Sequence, residues 1–159
     1  MAVSLNDPKA LSATDSQEDE HFISSSSLTS VLDFRYAPLD LSTDTIRLLK
    51  VLPGPDNSTI ECNLLHCTIS ELPSYTALSY SWDYSGLKIG INCNGKSLWI
   101  AWNLWCFLAQ FRKGVKSSRC LLWIDAICIN QKDVKERTHQ VRQMRSIYST
   151  AESVIVWLG

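Results

Sequence analysis

The chain has 159 residues, 45% hydrophobic and 19% charged, a globular composition sized for one ordinary domain. No apolar run reaches the roughly 20 residues that span a bilayer, and the N-terminal M-A-V-S-L-N-D-P-K lacks the basic start and apolar core of a signal peptide, so a cytoplasmic protein is expected. The net charge of −1 hides an asymmetry: residues 1–85 carry 4 Lys/Arg and 12 Asp/Glu, and residues 86–159 carry 11 and 4. A basic half can attract an acidic partner, or it can be a solvated surface balanced by the acidic half.

In chain order, residues 1–30 hold eight serines, the acidic run Glu18-Asp19-Glu20 and few large apolar side chains. Such a segment buries too little surface to offset its chain entropy and is expected to be a disordered tail. Residues 31–44 form a transition from which Phe34, Tyr36 and Leu39 can dock on a core. I-R-L-L-K-V-L, from Ile46, reads as a strand stopped by Pro53-Gly54-Pro55. T-I-E-C-N-L-L-H-C-T-I returns it as an antiparallel hairpin. Tyr75 to Trp82, Y-T-A-L-S-Y-S-W, is rich in β-formers and should be a central strand. Leu87–Cys93 and Lys96–Ile100 flank Asn94-Gly95, a strong two-residue hairpin signal.

Asn103 stands where a helix cap would, ahead of Leu104, Phe107, Leu108 and Phe111 at i, i+3, i+4 and i+7. That helix should end near Gly114. Cys120 to Ile129 is continuously apolar apart from Asp125, the pattern of a strand buried on both faces. Asp133, with Glu136 three residues on, opens a second helix in a capping-box arrangement. Its apolar stripe is Val134, Val141, Met144 and Tyr148, with Ile147 beside it. Ser153 to Leu158 is a last strand with no helix after it to cover its face, so the domain is expected to be truncated or to need a partner. The alternation predicts an α/β fold: a partly parallel sheet with flanking helices behind an N-terminal β-hairpin.

The chemistry-bearing residues gather at strand ends. In a parallel sheet, ligands bind beyond the carboxyl ends of the strands. Trp82 and Asp83 close one strand and Asn130 and Gln131 another, so these four are the expected crevice. Asp125 needs a partner if buried. Arg137, within the apolar stripe of the second helix, is the expected one, with Gln140 as further polar support. Glu136 is a weak catalytic candidate, since capping accounts for it. The six cysteines, at 62, 67, 93, 106, 120 and 128, form no C-x-x-C and read as free thiols. Cys62, His66 and Cys67 lack a fourth ligand, so no metal is expected. Six tryptophans are many for this length, and Trp99, Trp102 and Trp105 are too closely spaced to share one helical face; at least one should be exposed. No nucleotide-binding or hydrolase motif occurs, no specific nucleic acid is expected, and no membrane span is present.

Three blocks carry a resemblance: I-R-L-L-K-V-L-P-G, Y-T-A-L-S-Y-S-W, and the long W-I-D-A-I-C-I-N-Q-K-D-V-K-E-R-T-H-Q-V-R-Q-M-R-S-I-Y-S-T-A-E-S-V-I-V-W-L-G. Together they resemble the fungal heterokaryon incompatibility (HET) domain, with residues 45–159 as its N-terminal part. The resemblance implies a role in non-self recognition and programmed cell death, through self-association or a protein partner. The family is distantly similar to Toll/interleukin-receptor (TIR) domains, which are flavodoxin-like. That similarity implies a fold and, for a TIR-like glycohydrolase, NAD as a substrate; no cofactor is otherwise indicated. Two departures stand out. Asp83 occupies a place usually held by glycine, and the chain stops before the Trp/Arg-rich segment ending in Gln-Glu that would supply the catalytic glutamate. An inert fragment or decoy of a longer HET protein is the remaining alternative.

Overall fold

The computed structural model of the chain describes residues 33–82, 86–114 and 120–159. The expected tail over 1–30 and Asp83 lie outside the described residues. The strands are β1 (Thr45–Val51), β2 (Glu61–Thr68), β3 (Thr76–Tyr80), β4 (Lys88–Cys93), β5 (Lys96–Ala101), β6 (Leu121–Trp123) and β7 (Ser153–Trp157). The helices are α1 (Trp102–Gly114), the single turn α2 (Asp125–Cys128) and α3 (Val134–Thr150). The strands make one mixed sheet in the order β5-β4-β2-β1-β6-β3-β7. β6, β3 and β7 run parallel, β1 is antiparallel to both its neighbours, and β4-β5 is an antiparallel hairpin that joins β2 in parallel. The expected α/β class with a partly parallel sheet and flanking helices holds.

Local chemistry explains most of these elements. Asn94 and Gly95 both take positive φ, 51° and 76°, the requirement of a tight type I′ turn that matches strand twist. β1 pairs with β2 along its whole length, from Thr45↔Thr68 to Val51↔Cys62. Arg112, buried on α1, donates to the carbonyls of Asp56, Ser58 and Thr59 and so fixes the β1-β2 turn to the helix. The core is continuous across the sheet, with Leu48, Leu49, Leu78, Leu108, Leu122 and Trp123 fully enclosed. Among the described residues no helix is long and apolar enough to cross a membrane.

Three expectations are corrected. The apolar run Cys120–Ile129 is not one strand: β6 ends at Trp123 and the chain turns into α2. The Asp125 Oδ1 accepts the Ala126 amide at 2.7 Å, while the amides of Ile127 and Cys128 return to the Ile124 carbonyl. A short buried apolar run fits strand and helix equally, and the local Asp bond decides. Asn103 does not cap α1, which starts at Trp102 directly from β5. Its side chain is a clamp: Nδ2 donates to the Ser81 carbonyl (2.7 Å) and Oδ1 accepts the Trp157 indole (2.8 Å).

The third correction concerns the face of α3. Met144, Ile147 and Tyr148 pack on the core as expected, but Val134 and Val141 are exposed and the helix buries Glu136 and Gln140 in their place. Polar residues turn inward because two strand groups need partners there, the Arg47 guanidinium and the Thr45 carbonyl. β7 is the edge strand beyond β3, and its Val154 and Val156 are uncovered. Trp99 and Trp102 are exposed, the latter stacked on Trp105 with ring centroids 5.2 Å apart.

Candidate functional site

β3 and β6 are parallel neighbours, with Thr76 opposite Leu122 and Ala77 opposite Trp123. Their carboxyl ends therefore meet at one edge of the sheet. From β3 the chain reaches Trp82, whose ring lies nearly parallel to that of Tyr80 at 6.4 Å. From β6 it passes Ile124 to Asp125. The Trp82 side chain lies near enough to the Asp125 carboxyl to influence its titration, and Gln131 Nε2 donates to the Asp125 carbonyl at 2.9 Å. Asp125 thus belongs to the edge rather than to the middle of a strand.

Burial lifts the Asp125 carboxyl above its ordinary value of 3.8, and the Ala126 amide and the Trp82 side chain oppose that lift. Tyr80 and Tyr148 are raised in turn, mainly by burial and secondarily by the Asp125 charge. An acid with a raised folded-state pKa binds its proton more tightly when folded. Its contribution to stability is full below the unfolded value and is lost as pH rises through the folded value. Asp125→Asn is therefore expected to melt above the parent at pH 7. The two melting curves should converge as pH falls towards 3.8. Thermal unfolding from pH 3 to pH 8 checks this, and an Asn variant less stable than the parent at pH 7 would contradict it.

The expected Asp125–Arg137 pair does not form. Arg137 is exposed, and its Nη1 donates to the Gln131 carbonyl at 3.3 Å. Among the described residues the buried ion pair lies elsewhere, between Arg47 on β1 and Glu136 on α3. Nη1 meets Oε1 at 2.6 Å and Nη2 meets Oε2 at 3.0 Å, with side-chain exposures of 0% and 3%. Arg47 also donates to the carbonyls of Cys128 and Ala37 and, through Nε, to His66, and its guanidinium sits 4.9 Å from the Tyr36 ring centroid. Glu136 Oε1 further accepts the Asn130 amide at 2.6 Å. Both carboxylate oxygens meet Arg47 and Oε1 also holds the Asn130 amide, so Glu136 anchors the Asn130-Gln131 turn to β1.

Only the Asp133 half of the expected capping box forms in helix α3, because the Glu136 carboxylate turns to Arg47 and the Asn130 amide and not back to the Asp133 amide. The Asp133 carboxylate accepts the amides of Lys135 and Glu136. Gln140 is fully buried and donates to the Thr45 carbonyl at 2.8 Å. Asn130 Oδ1 accepts the Lys132 amide, which makes it a turn residue. Sequence reasoning missed Arg47. The available signal was its place in I-R-L-L-K-V, a charged residue in a run otherwise apolar enough to be enclosed on both faces.

Around the Asp125 edge the surface is apolar. Asn103 draws Ser81 and Trp157 together, and the Trp102 amide donates to the Leu87 carbonyl. The neighbouring Trp82, Leu87, Trp102 and Leu158 are all exposed, Leu158 to 84%. No group of three His, Cys, Asp or Glu is arranged to hold a metal among the described residues. The edge pairs a hydrogen-bonded, half-buried carboxylate with exposed aromatic and aliphatic side chains.

The profile of the family described as Heterokaryon incompatibility protein (HET) matches residues 75–159, more than half of the chain. The chain belongs to the HET family. The match takes in β3, β6, α2, α3 and β7, and so contains every side chain of the Asp125 edge. Arg47 lies outside it, on the hairpin that anchors α3. Heterokaryon incompatibility protein 6, OR allele, of Neurospora crassa is 37% identical over 140 residues, 79% of this chain and 21% of that protein. The chain thus spans about a fifth of that relative's length. No solved structure matches the chain significantly.

Proposed function

We propose that this HET chain takes part in fungal non-self recognition and promotes programmed cell death through protein contact, using the carboxyl edge of β3, β6 and β7. The observation that carries the reading is the exposure of Trp82, Leu87, Trp102 and Leu158 along this edge. Grouped apolar side chains on a soluble domain mark contact surfaces, and tryptophan is enriched at interface hot spots. Family membership and the name of the Neurospora crassa relative support the biological setting.

Inducible expression in a filamentous fungus tests the proposal. Induction is expected to arrest growth and admit a vital dye. Trp82→Ser combined with Leu158→Ser should abolish that effect at unchanged soluble abundance, because both side chains are exposed and contribute little to the core. Killing undiminished by the double substitution would refute the contact edge. Release of nicotinamide from NAD by the purified chain would replace the contact mechanism with an enzymatic one.

A further inference from the structure

A second concavity lies on the opposite half of the sheet, on the outer face of β2, β4 and β5. Register places Glu61 beside Asn92 and Asn92 beside Ser97, with Gly90 beside Trp99 one step along. Residues two apart on a strand share a face, so these five side-chain positions point the same way. Cys62, Ile91, Cys93 and Ile100 point into the core. Gly90 leaves a dip that the Trp99 ring overhangs: a Cβ built at Gly90 would stand 3.8 Å from the ring carbons. Contact with Gly90 accounts for part of the indole, yet Trp99 remains 60% exposed. The cleft measures about 400 Å³ and is walled by Thr59, Glu61, Asn92, Ser97 and Trp99.

Its polar groups are unspent. Asn92 Oδ1 is buried and has no hydrogen-bond partner, a condition that native proteins rarely tolerate without a reason. Among the described residues, the Glu61 carboxylate makes no ion pair. We propose that this cleft binds a neutral pyranose, as a free hexose or the terminal sugar of a glycan. Beside the Glu61 carboxylate the lining is neutral, with the Thr59 and Ser97 hydroxyls and the Asn92 amide. Such groups both donate and accept, which matches the hydroxyl groups of a sugar. The indole supplies a flat apolar platform for the carbon-bound face of the ring. The Asn92 amide turns about its soft terminal torsion to bring Oδ1 onto a ligand hydroxyl.

The test is a titration of the full chain with the methyl glycosides of glucose, galactose, mannose and N-acetylglucosamine, followed by amide chemical shifts. At least one is expected to saturate with a Kd on the order of 1 mM, as suits so small a ligand. Trp99→Ala should weaken it at least tenfold. Gly90→Ala should do the same by raising the floor of the cleft. Its Cβ meets the ring only at ordinary contact distance, so the fold, followed by circular dichroism, should persist. Absence of saturation by every glycoside, or parental affinity in either folded variant, overturns the proposal. Saturation of the same amides by adenosine or by an arginine ester, with no glycoside binding, also overturns it.

Discussion

Arg47→Ala is expected to lower the unfolding free energy by about 3–5 kcal/mol, the usual cost of removing one partner of a buried ion pair. The expectation rests on what the substitution leaves behind. Glu136, at 3% exposure, would be left buried with the Asn130 amide as its remaining hydrogen-bond donor among those now present. The carbonyls of Ala37 and Cys128 would lose their donor as well. Attraction between the pair is large in a low-dielectric interior, but so is the desolvation cost of burying both charges. The pair as a whole therefore adds far less than its rupture subtracts. Arg47→Met combined with Glu136→Leu should accordingly recover most of the loss. Urea titration of the parent, the single and the double variant measures both quantities. The Asn130 amide, no longer held by a carboxylate, should exchange with solvent faster in the double variant. Arg137→Ala serves as the control: its side chain is exposed and donates only one long bond, so its cost should stay below about 1 kcal/mol. A single variant that loses less than about 1 kcal/mol would show that the pair is not the tie between β1 and α3.

The contrast between Arg47 and Arg137 shows where the sequence was readable. Short-range chemistry was legible: the Asn94-Gly95 turn, the Asp133 cap, and the two hairpins all depend on neighbours a few residues apart. The common edge of β3 and β6 was also within reach, because parallel strands align their carboxyl ends. Long-range polar partners were not. Arg47 and Glu136 are 89 positions apart, and nothing local says which carboxylate a buried guanidinium will find. Hydrophobic spacing on α3 misled for the same reason. Val134 and Val141 looked like the inward stripe, but the unsatisfied groups of β1 outweigh two valines when the helix settles its rotation. The helical turn α2 was hidden because its apolar residues suit either conformation, and the Asp125 bond to the Ala126 amide tips the balance.

Trp123→Ala is expected to cost about 3–5 kcal/mol, the range for deleting a large aromatic from an enclosed site, whereas Trp123→Phe should cost much less. Trp123 ends β6, is fully enclosed, and meets Tyr148 edge to face with ring centroids 5.4 Å apart. Its indole N–H, however, is buried without an acceptor. An unpaired donor of that kind carries a penalty of roughly 1–3 kcal/mol. Alanine removes the penalty along with the whole ring, and the cavity dominates. Phenylalanine removes the penalty while keeping most of the apolar area and the contact with Tyr148, so the two effects nearly offset. The same position also sets the spacing of the candidate edge, since Trp123 is paired with Ala77 and stands two residues before Asp125. A collapsed cavity in the alanine variant should let β3 and β6 shift, and the burial of Asp125 should lessen. The distinctive pH dependence of stability assigned to Asp125 should then flatten in Trp123→Ala and persist in Trp123→Phe. Equal losses in the two variants would mean that the indole N–H has a partner after all and that its burial carries no penalty.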